Sequence, residues 1–243
     1  DPRTQGPRPM RLVKLLANLG YGTRKEVQIA LRNGWITDRA GQRLKADSRT
    51  AHEDILFDDE PLDPPQGMIL LLNKPVGYTC STKDQGRLVY DLLPDRFRYR
   101  KPVLSTVGRL DRETTGALLF TDDGTLLHRI ISPKAEVPKV YEAELDRPLQ
   151  GDEAELFASG TMMLESEDKP LKPAELEVLT PQKVRLTLHE GRYHQVRRMF
   201  AATGNHVNTL SRIRIGGLTL DGVEEGKWRL LDAADVEKVF GTV

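Results

Sequence analysis

Five consecutive apolar residues, Met68, Ile69, Leu70, Leu71 and Leu72, follow directly on a proline-rich segment, 60–67, that reads EPLDPPQG. This junction constrains the fold more than any other part of the chain. The apolar run is too short for a core helix and is bounded by turn residues, which is the pattern of a strand buried on both faces. Three prolines in eight residues leave few backbone donors for a ladder, so 60–67 reads as a connection. The expected organisation is a tail over 1–9, a small module over 10–58, a linker over 59–67 and a larger domain over 68–243. With 243 residues and 38% apolar content, each part can own a core.

In the small module, Leu12, Leu15, Leu16 and Leu19 recur at helical spacing, and Gly20-Tyr21-Gly22 ends that helix. Thr23-Arg24-Lys25-Glu26 has the spacing of a capping box, and Gly34 is placed to stop a second helix. Short strands are expected at 35–37 and 54–57. In the larger domain strands are expected at 68–72, 116–120, 140–145, 174–179, 184–188 and within 207–220. Helices are expected at 125–131, 152–158, 192–202 and 233–240. Strands outnumber helices and often follow one another, so the expected class is α+β, with a mostly antiparallel mixed sheet flanked by helices. No dimer seam is visible, which points to a monomer.

The formal charge of zero hides a pattern. Residues 1–49 carry 11 Lys/Arg against 4 Asp/Glu, residues 50–64 carry 6 acids and no Lys/Arg, and residues 183–214 carry 7 Lys/Arg against Glu190 alone. Two basic blocks separated by neutralising stretches suit two contacts to a polyanion such as nucleic acid; a solvated surface is the plainer alternative. The single cysteine, Cys80, rules out an internal disulfide and fits a reducing cytoplasm. No apolar run approaches a membrane span, and no secretory leader is visible.

No phosphate-cradling GxxxxGK[ST] loop and no dinucleotide GxGxxG occurs. His189-Glu190 and His194 resemble a zinc protease motif, but the histidines are five apart with Gly191 between them, so no metal is expected. Any chemistry then falls to ordinary side chains, without a cofactor. The segment 108–124, GRLDRETTGALLFTDDG, places Arg109 and Asp111 in a turn directly ahead of a buried-strand pattern. Taken alone, Asp111 could simply cap that turn, Tyr141 could be a core tyrosine and Arg197 an exposed helix arginine. Asp122 and Asp123 are accounted for by capping the helix that follows them.

Several stretches together resemble the pseudouridine synthases. GRLDRETTGALLFTDDG resembles the family's catalytic loop, KVYEAEL (139–145) its tyrosine strand, and LHEGRYHQVRRMF (188–200) its arginine-bearing motif. LLLNKPVGYTCS (70–81) resembles the strand and turn that open the catalytic domain in the ribosomal branch, and residues 10–58 resemble an S4 RNA-binding module. EGRYHQVRRMFAATGNHV, RIGGLTLDG and KPLKPAELEVLTPQKVRLTL resemble the RsuA-type branch, which modifies small-subunit rRNA. One departure lies in the S4 opening, where Val13 stands at a usually acidic position.

The resemblance implies isomerisation of one uridine to pseudouridine in 16S rRNA, of the position-516 type, with neither metal nor cofactor. It makes Asp111 the attacking group or base, Arg197 its guanidinium partner, Tyr141 the aromatic against the target base and Arg109 the wedge that replaces a flipped uridine. RNA grip is expected from both basic blocks: in the small module, from Arg11 and Lys14 on the first helix and Arg24, Lys25 and Arg32 on the second. Arg192, Arg198, Arg212 and Arg214 are the expected phosphate contacts of the larger domain. The implied partner is 16S rRNA or a partly assembled small ribosomal subunit. The rival readings are a large-subunit rRNA enzyme, a non-catalytic S4-type assembly protein, and a hydrolase using Asp111 with Asp122 or Asp123 as a metal pair.

Overall fold

The computed structural model describes residues 11–241; the tail expected over 1–9, together with Met10, lies outside them. The chain forms two compact units. The first comprises residues 11–68 with Leu93–Ser105, and the second Ile69–Leu92 with residues 106–241. Among the described residues no helix is long and apolar enough to cross a membrane.

In the first unit, α1 (Leu12–Asn18) and α2 (Arg24–Arg32) pack over a three-stranded antiparallel sheet of β1 (Ile36–Asp38), β2 (Ile55–Phe57) and β3 (Glu60–Pro61). The α2 capping box is complete: Thr23 and Glu26 each accept the other's backbone N–H at 3.1 Å. Leu12, Leu16, Leu19, Val27, Ala30, Ile36 and Ile55 make the core. The proline-rich segment does more than connect. Its first residues form β3, the Asp63 carboxylate binds Arg96 at 2.7 Å, and the Asp63 backbone N–H donates to the Tyr21 hydroxyl at 2.9 Å. Arg96 also stacks over the Tyr21 ring, 4.8 Å from its centroid. These contacts hold both 60–67 and 93–105 in the first unit, a distant pairing that periodicity does not reveal.

The second unit is built on a nine-stranded sheet in the order β12-β4-β6-β10-β7-β9-β8, with β5 (Ser105–Val107) on β6 and β11 (Leu218–Thr219) on β10. Its strands are β4 (Ile69–Lys74), β6 (Thr114–Thr121), β7 (Lys139–Leu145), β8 (Glu175–Thr180), β9 (Lys183–Leu188), β10 (Val207–Ile215) and β12 (Trp228–Leu230). The β6–β10 pair is parallel and the other registered neighbours are antiparallel. The class is thus α+β. The central strand β6 approaches β10 closely at Gly116, where φ is +107° and a Cβ would sit 2.1 Å from the Arg212 carbonyl oxygen. Only glycine fits there.

Helices α3 (Gly124–Ile131) and α6 (Ala233–Val239) cover one core with β4 and β6, and α4 (Glu153–Ala158) and α5 (Gln195–Ala202) cover another with β7, β9 and β10. Asp123 caps α3 by accepting the Leu126 N–H at 3.1 Å. Helix α5 starts three residues later than its periodicity suggests. His194 at its N-terminus takes a left-handed conformation, φ 47°, and leaves residues 191–194 as a loop.

Candidate active site

The turn ahead of β6 is pinned at alternate residues. The Cys80 thiol both accepts the Leu110 N–H and donates to the Leu110 carbonyl, each at 3.4 Å. The Lys74 ammonium, fully buried at the end of β4, donates to the carbonyls of Arg112 (3.1 Å), Thr114 (2.8 Å) and Pro75 (3.0 Å). The Gly77 N–H also donates to Arg112 O at 2.9 Å. Leu110 and Thr114 are buried. The residues between the pins, Arg109, Asp111 and Glu113, are left to project, with Arg109 and Glu113 exposed and Asp111 half-buried. The apolar strand therefore anchors a rigid turn, and the chemistry-bearing side chains stand on it. Burial lowers the Lys74 pKa, opposed by the charges of Cys80, Glu113 and Asp111; burial raises that of the Cys80 thiol.

Asp111 opens on a cavity of about 550 Å³ that Arg109, Tyr141, His194 and Arg197 also line. All three residues expected at the reaction centre therefore reach one space. Tyr141 is half-buried on β7 and packs against the core of Ala143 and Leu145. The partner of Asp111 differs from expectation: His194 Nε2 lies 3.1 Å from its Oδ1, while Arg197 Nη1 donates to the Val207 carbonyl at 3.1 Å. The left-handed turn at His194 brings its ring to the carboxylate. Arg197, one helical turn on, reaches across to the start of β10. Tyr193 stacks on His194 with ring centroids 3.9 Å apart, and 74% of Tyr193 is exposed. In the sequence, His194 stands out only as part of a zinc-like pattern with the wrong spacing. Its i, i+3 relation to Arg197 is the signal that places both at one wall of the cavity.

Three of the expected phosphate contacts are corrected. Arg192 binds Glu190 at 3.1 Å and the carbonyls of Lys169 and Pro170 at 2.9 and 2.7 Å. Arg198 binds Glu167 at 3.0 Å and the carbonyls of Glu165 and Tyr193 at 2.6 and 3.1 Å. Both brace the segment before β8 against α5, with their donors committed internally. Arg212 is 5% exposed, too deep for an RNA backbone. Arg214 Nη2 faces the Gly217 carbonyl at 3.5 Å. Arg198→Ala is accordingly expected to lower stability by about 1–3 kcal/mol, the scale of a lost charged hydrogen bond, and to change RNA affinity less than about twofold. Thermal melts and a filter-binding titration would check this; weaker binding at unchanged stability would reverse the assignment.

His189 binds Glu175 at 2.9–3.0 Å, so the two histidines of the zinc-like stretch serve different carboxylates. Among the described residues no group of three or more His, Cys, Asp or Glu side chains is placed to hold a metal. In the first unit, Arg11, Lys14, Arg24, Lys25 and Arg32 are all exposed.

Asp111 on its pinned turn, Tyr141 and Arg197 thus line one cavity, and comparison with known proteins gives the class. Residues 68–202 match the family model for RNA pseudouridylate synthases. The chain belongs to that family and, within it, to the RsuA-type ribosomal small-subunit branch. It is 42% identical over 234 residues to the ribosomal small subunit pseudouridine synthase A of Yersinia pestis, covering 95% of this chain and 98% of the relative. It is 47% identical over 189 residues to the protein of that name from Escherichia coli K12, covering 76% and 80%. A crystal structure of a pseudouridylate synthase superposes with a TM-score of 0.67 at 39% identity, covering 95% of this chain and all of the other. Pseudouridine formation is thus the activity of this chain.

Proposed function

We propose that this protein isomerises one uridine of 16S rRNA, of the position-516 type, in the cytoplasm and as a monomer. Its substrate is 16S rRNA, free or in a partly assembled small subunit. The observation that carries this reading is Asp111, projected into a cavity it shares with Tyr141 and Arg197. Asp111 attacks the nucleotide or removes a sugar proton. Tyr141 lies against the base, whose flat face suits a ring that must turn before it rejoins the sugar. Arg109 fills the gap left by the flipped uridine, stacking as a plane and reaching phosphate. Arg197 spends one nitrogen on Val207 and keeps the rest of its guanidinium for the carboxylate or the nucleotide. His194, at 3.1 Å, holds the direction of Asp111 until RNA enters.

Residues 10–58 act as the RNA-binding module, gripping backbone phosphate through Arg11, Lys14, Arg24, Lys25 and Arg32. Binding through phosphate releases counterions, so affinity for 16S fragments is expected to fall at least about tenfold between low and moderate salt. Salt-insensitive binding in a titration series would count against this grip.

The deciding experiment is pseudouridine mapping on unmodified 16S rRNA, free and bound to small-subunit proteins. One new pseudouridine in either substrate supports the proposal and names the uridine. Modification of 23S rRNA alone would move the target to the large subunit. Tight binding without modification of either rRNA would support a non-catalytic assembly role.

A further inference from the structure

Two cations that line the Asp111 cavity make no ion pair among the described residues. Lys139 stands on β7 two residues before Tyr141, hence on the same face of the strand. Arg212 stands on β10 directly opposite Tyr141. Arg212 is 5% exposed; its Nε donates to the Ala117 carbonyl at 2.8 Å, and its Nη2 is buried with no hydrogen-bond partner. The Thr114 hydroxyl, buried on the neighbouring strand and lining the same cavity, is also unpartnered. Neither Lys139 nor Arg212 has a carboxylate partner among the described residues. Burial, and then the charge of Arg212, lower the Lys139 pKa to about 8. The amine remains largely protonated at neutral pH. Two cations held at one cavity without an ion-pair partner cost the fold stability, as sites prepared for a ligand do.

We propose that Lys139 and Arg212 form a cationic subsite that takes the negative charge of the uracil as it detaches from its ribose. This rests on the function proposed above and extends it to residues with no role in that scheme. The anion is the base rather than a phosphate. A phosphodiester is tied to the chain on both sides and stays near the surface, whereas a flipped planar base enters the depth where Arg212 lies.

Whichever atom Asp111 attacks first, the C1′–N1 bond must break. Its electron pair leaves with N1, so the detached uracil is an anion with charge shared among N1 and the carbonyl oxygens. After the ring turns, C5 bonds to C1′ with the C5=C6 pair, and Asp111 gives back the bond or the sugar proton it took, regenerating its carboxylate; the C5 hydrogen departs as a proton and N1 takes up a proton. The sum is an isomerisation with no proton gained or lost. The base is neutral before cleavage and charged after it, so donors fixed at this position act on the transition state far more than on binding.

The test is the single-turnover release of tritium from [5-³H]uridine in saturating 16S rRNA, beside RNA affinity and thermal melting. Lys139→Met is expected to slow release about 10²- to 10³-fold, the loss typical of one donor to a developing anion, with RNA Kd unchanged within about twofold. Lys139→Arg restores most of the rate. The fold binds fewer protons at this site than the unfolded chain between about pH 8 and the ordinary lysine value. Its penalty is therefore complete below pH 8 and fades above it. Lys139→Met is accordingly expected to raise Tm at neutral pH by about 2–6 °C, the opposite of what loss of a structural lysine does. A weaker Kd at an unchanged rate would assign Lys139 to phosphate, and a lower Tm together with a lower rate would make it structural; either overturns the subsite. Wild-type release with undiminished release by Lys139→Met removes the subsite alone. Absence of wild-type release from both 16S and 23S rRNA removes the enzymatic reading and the subsite together.

Discussion

Asp111→Asn is expected to abolish pseudouridine formation, by at least about 10⁴-fold in the single-turnover rate, while the protein melts within about 2 °C of wild type and binds RNA as before. The asparagine keeps the shape of the side chain and can still accept from His194, now 3.1 Å from the carboxylate. It removes only the negative charge that attacks or takes a proton. The turn is held by Lys74, Cys80 and Gly77 through backbone atoms of Leu110, Arg112 and Thr114, none of which the substitution touches. A matched control is Asp123→Asn. It alters the cap of α3, worth about 1 kcal/mol when lost altogether, and should leave the rate intact. Retained turnover in Asp111→Asn, or equal losses in both variants, would move the reaction centre elsewhere.

The second large effect is on Lys74. Lys74→Met is expected to destabilise the fold by about 2–4 kcal/mol, from three carbonyls left without their donor and partly offset by removal of a buried charge. On a chain this size that is a fall in Tm of roughly 4–16 °C. Turnover should fall further than the folded fraction does, more than about a hundredfold at a temperature where the variant is folded. The carbonyls released, Arg112 and Thr114, lie one and three residues after Asp111, and a displacement of about 1 Å there costs about that factor. Lys74→Arg is not expected to rescue, because a planar fork does not fit a closed site shaped for one ammonium. Unchanged melting would show that the turn holds itself; unchanged turnover with lowered Tm would show that the pins serve stability alone.

Local signals in the sequence locate most of the fold. The capping box at Thr23 and Glu26, the apolar run of β4 and the alternation of β9 are each decided by neighbours a few residues away. Strands β5 and β12 are three residues each and owe their existence to β6 and β4, so nothing in their own sequence announces them. The assignment of 93–105 to the first unit rests on Arg96 meeting Asp63 and Tyr21, again a distant pairing. The same limit governs the site. Asp111, Tyr141 and Arg197 were legible through family motifs, and the structure brings them to one cavity. That Asp111 meets His194 depends on a left-handed turn, which a sequence does not display. Arg198 looks like free charge because Glu167 lies 31 residues away along the chain, and Arg192 because the carbonyls of Lys169 and Pro170 that hold it lie 23 and 22 residues away.

The parallel pairing of β6 and β10 sets Leu210 beside Thr114, roughly a hundred residues apart along the chain. The Asp111 turn leads into one of these strands, and α5, with His194 and Arg197, leads into the other. The reaction centre therefore comes into being with one of the most distant pairings in the sheet, exceeded only by that of β12 with β4, and such contacts are expected to form late in folding. A partly folded molecule can already carry its exposed basic side chains and hold RNA, yet it has no assembled wall opposite Asp111. During refolding, RNA retention should recover before catalysis, and the delay between them times the closure of this one pair of strands.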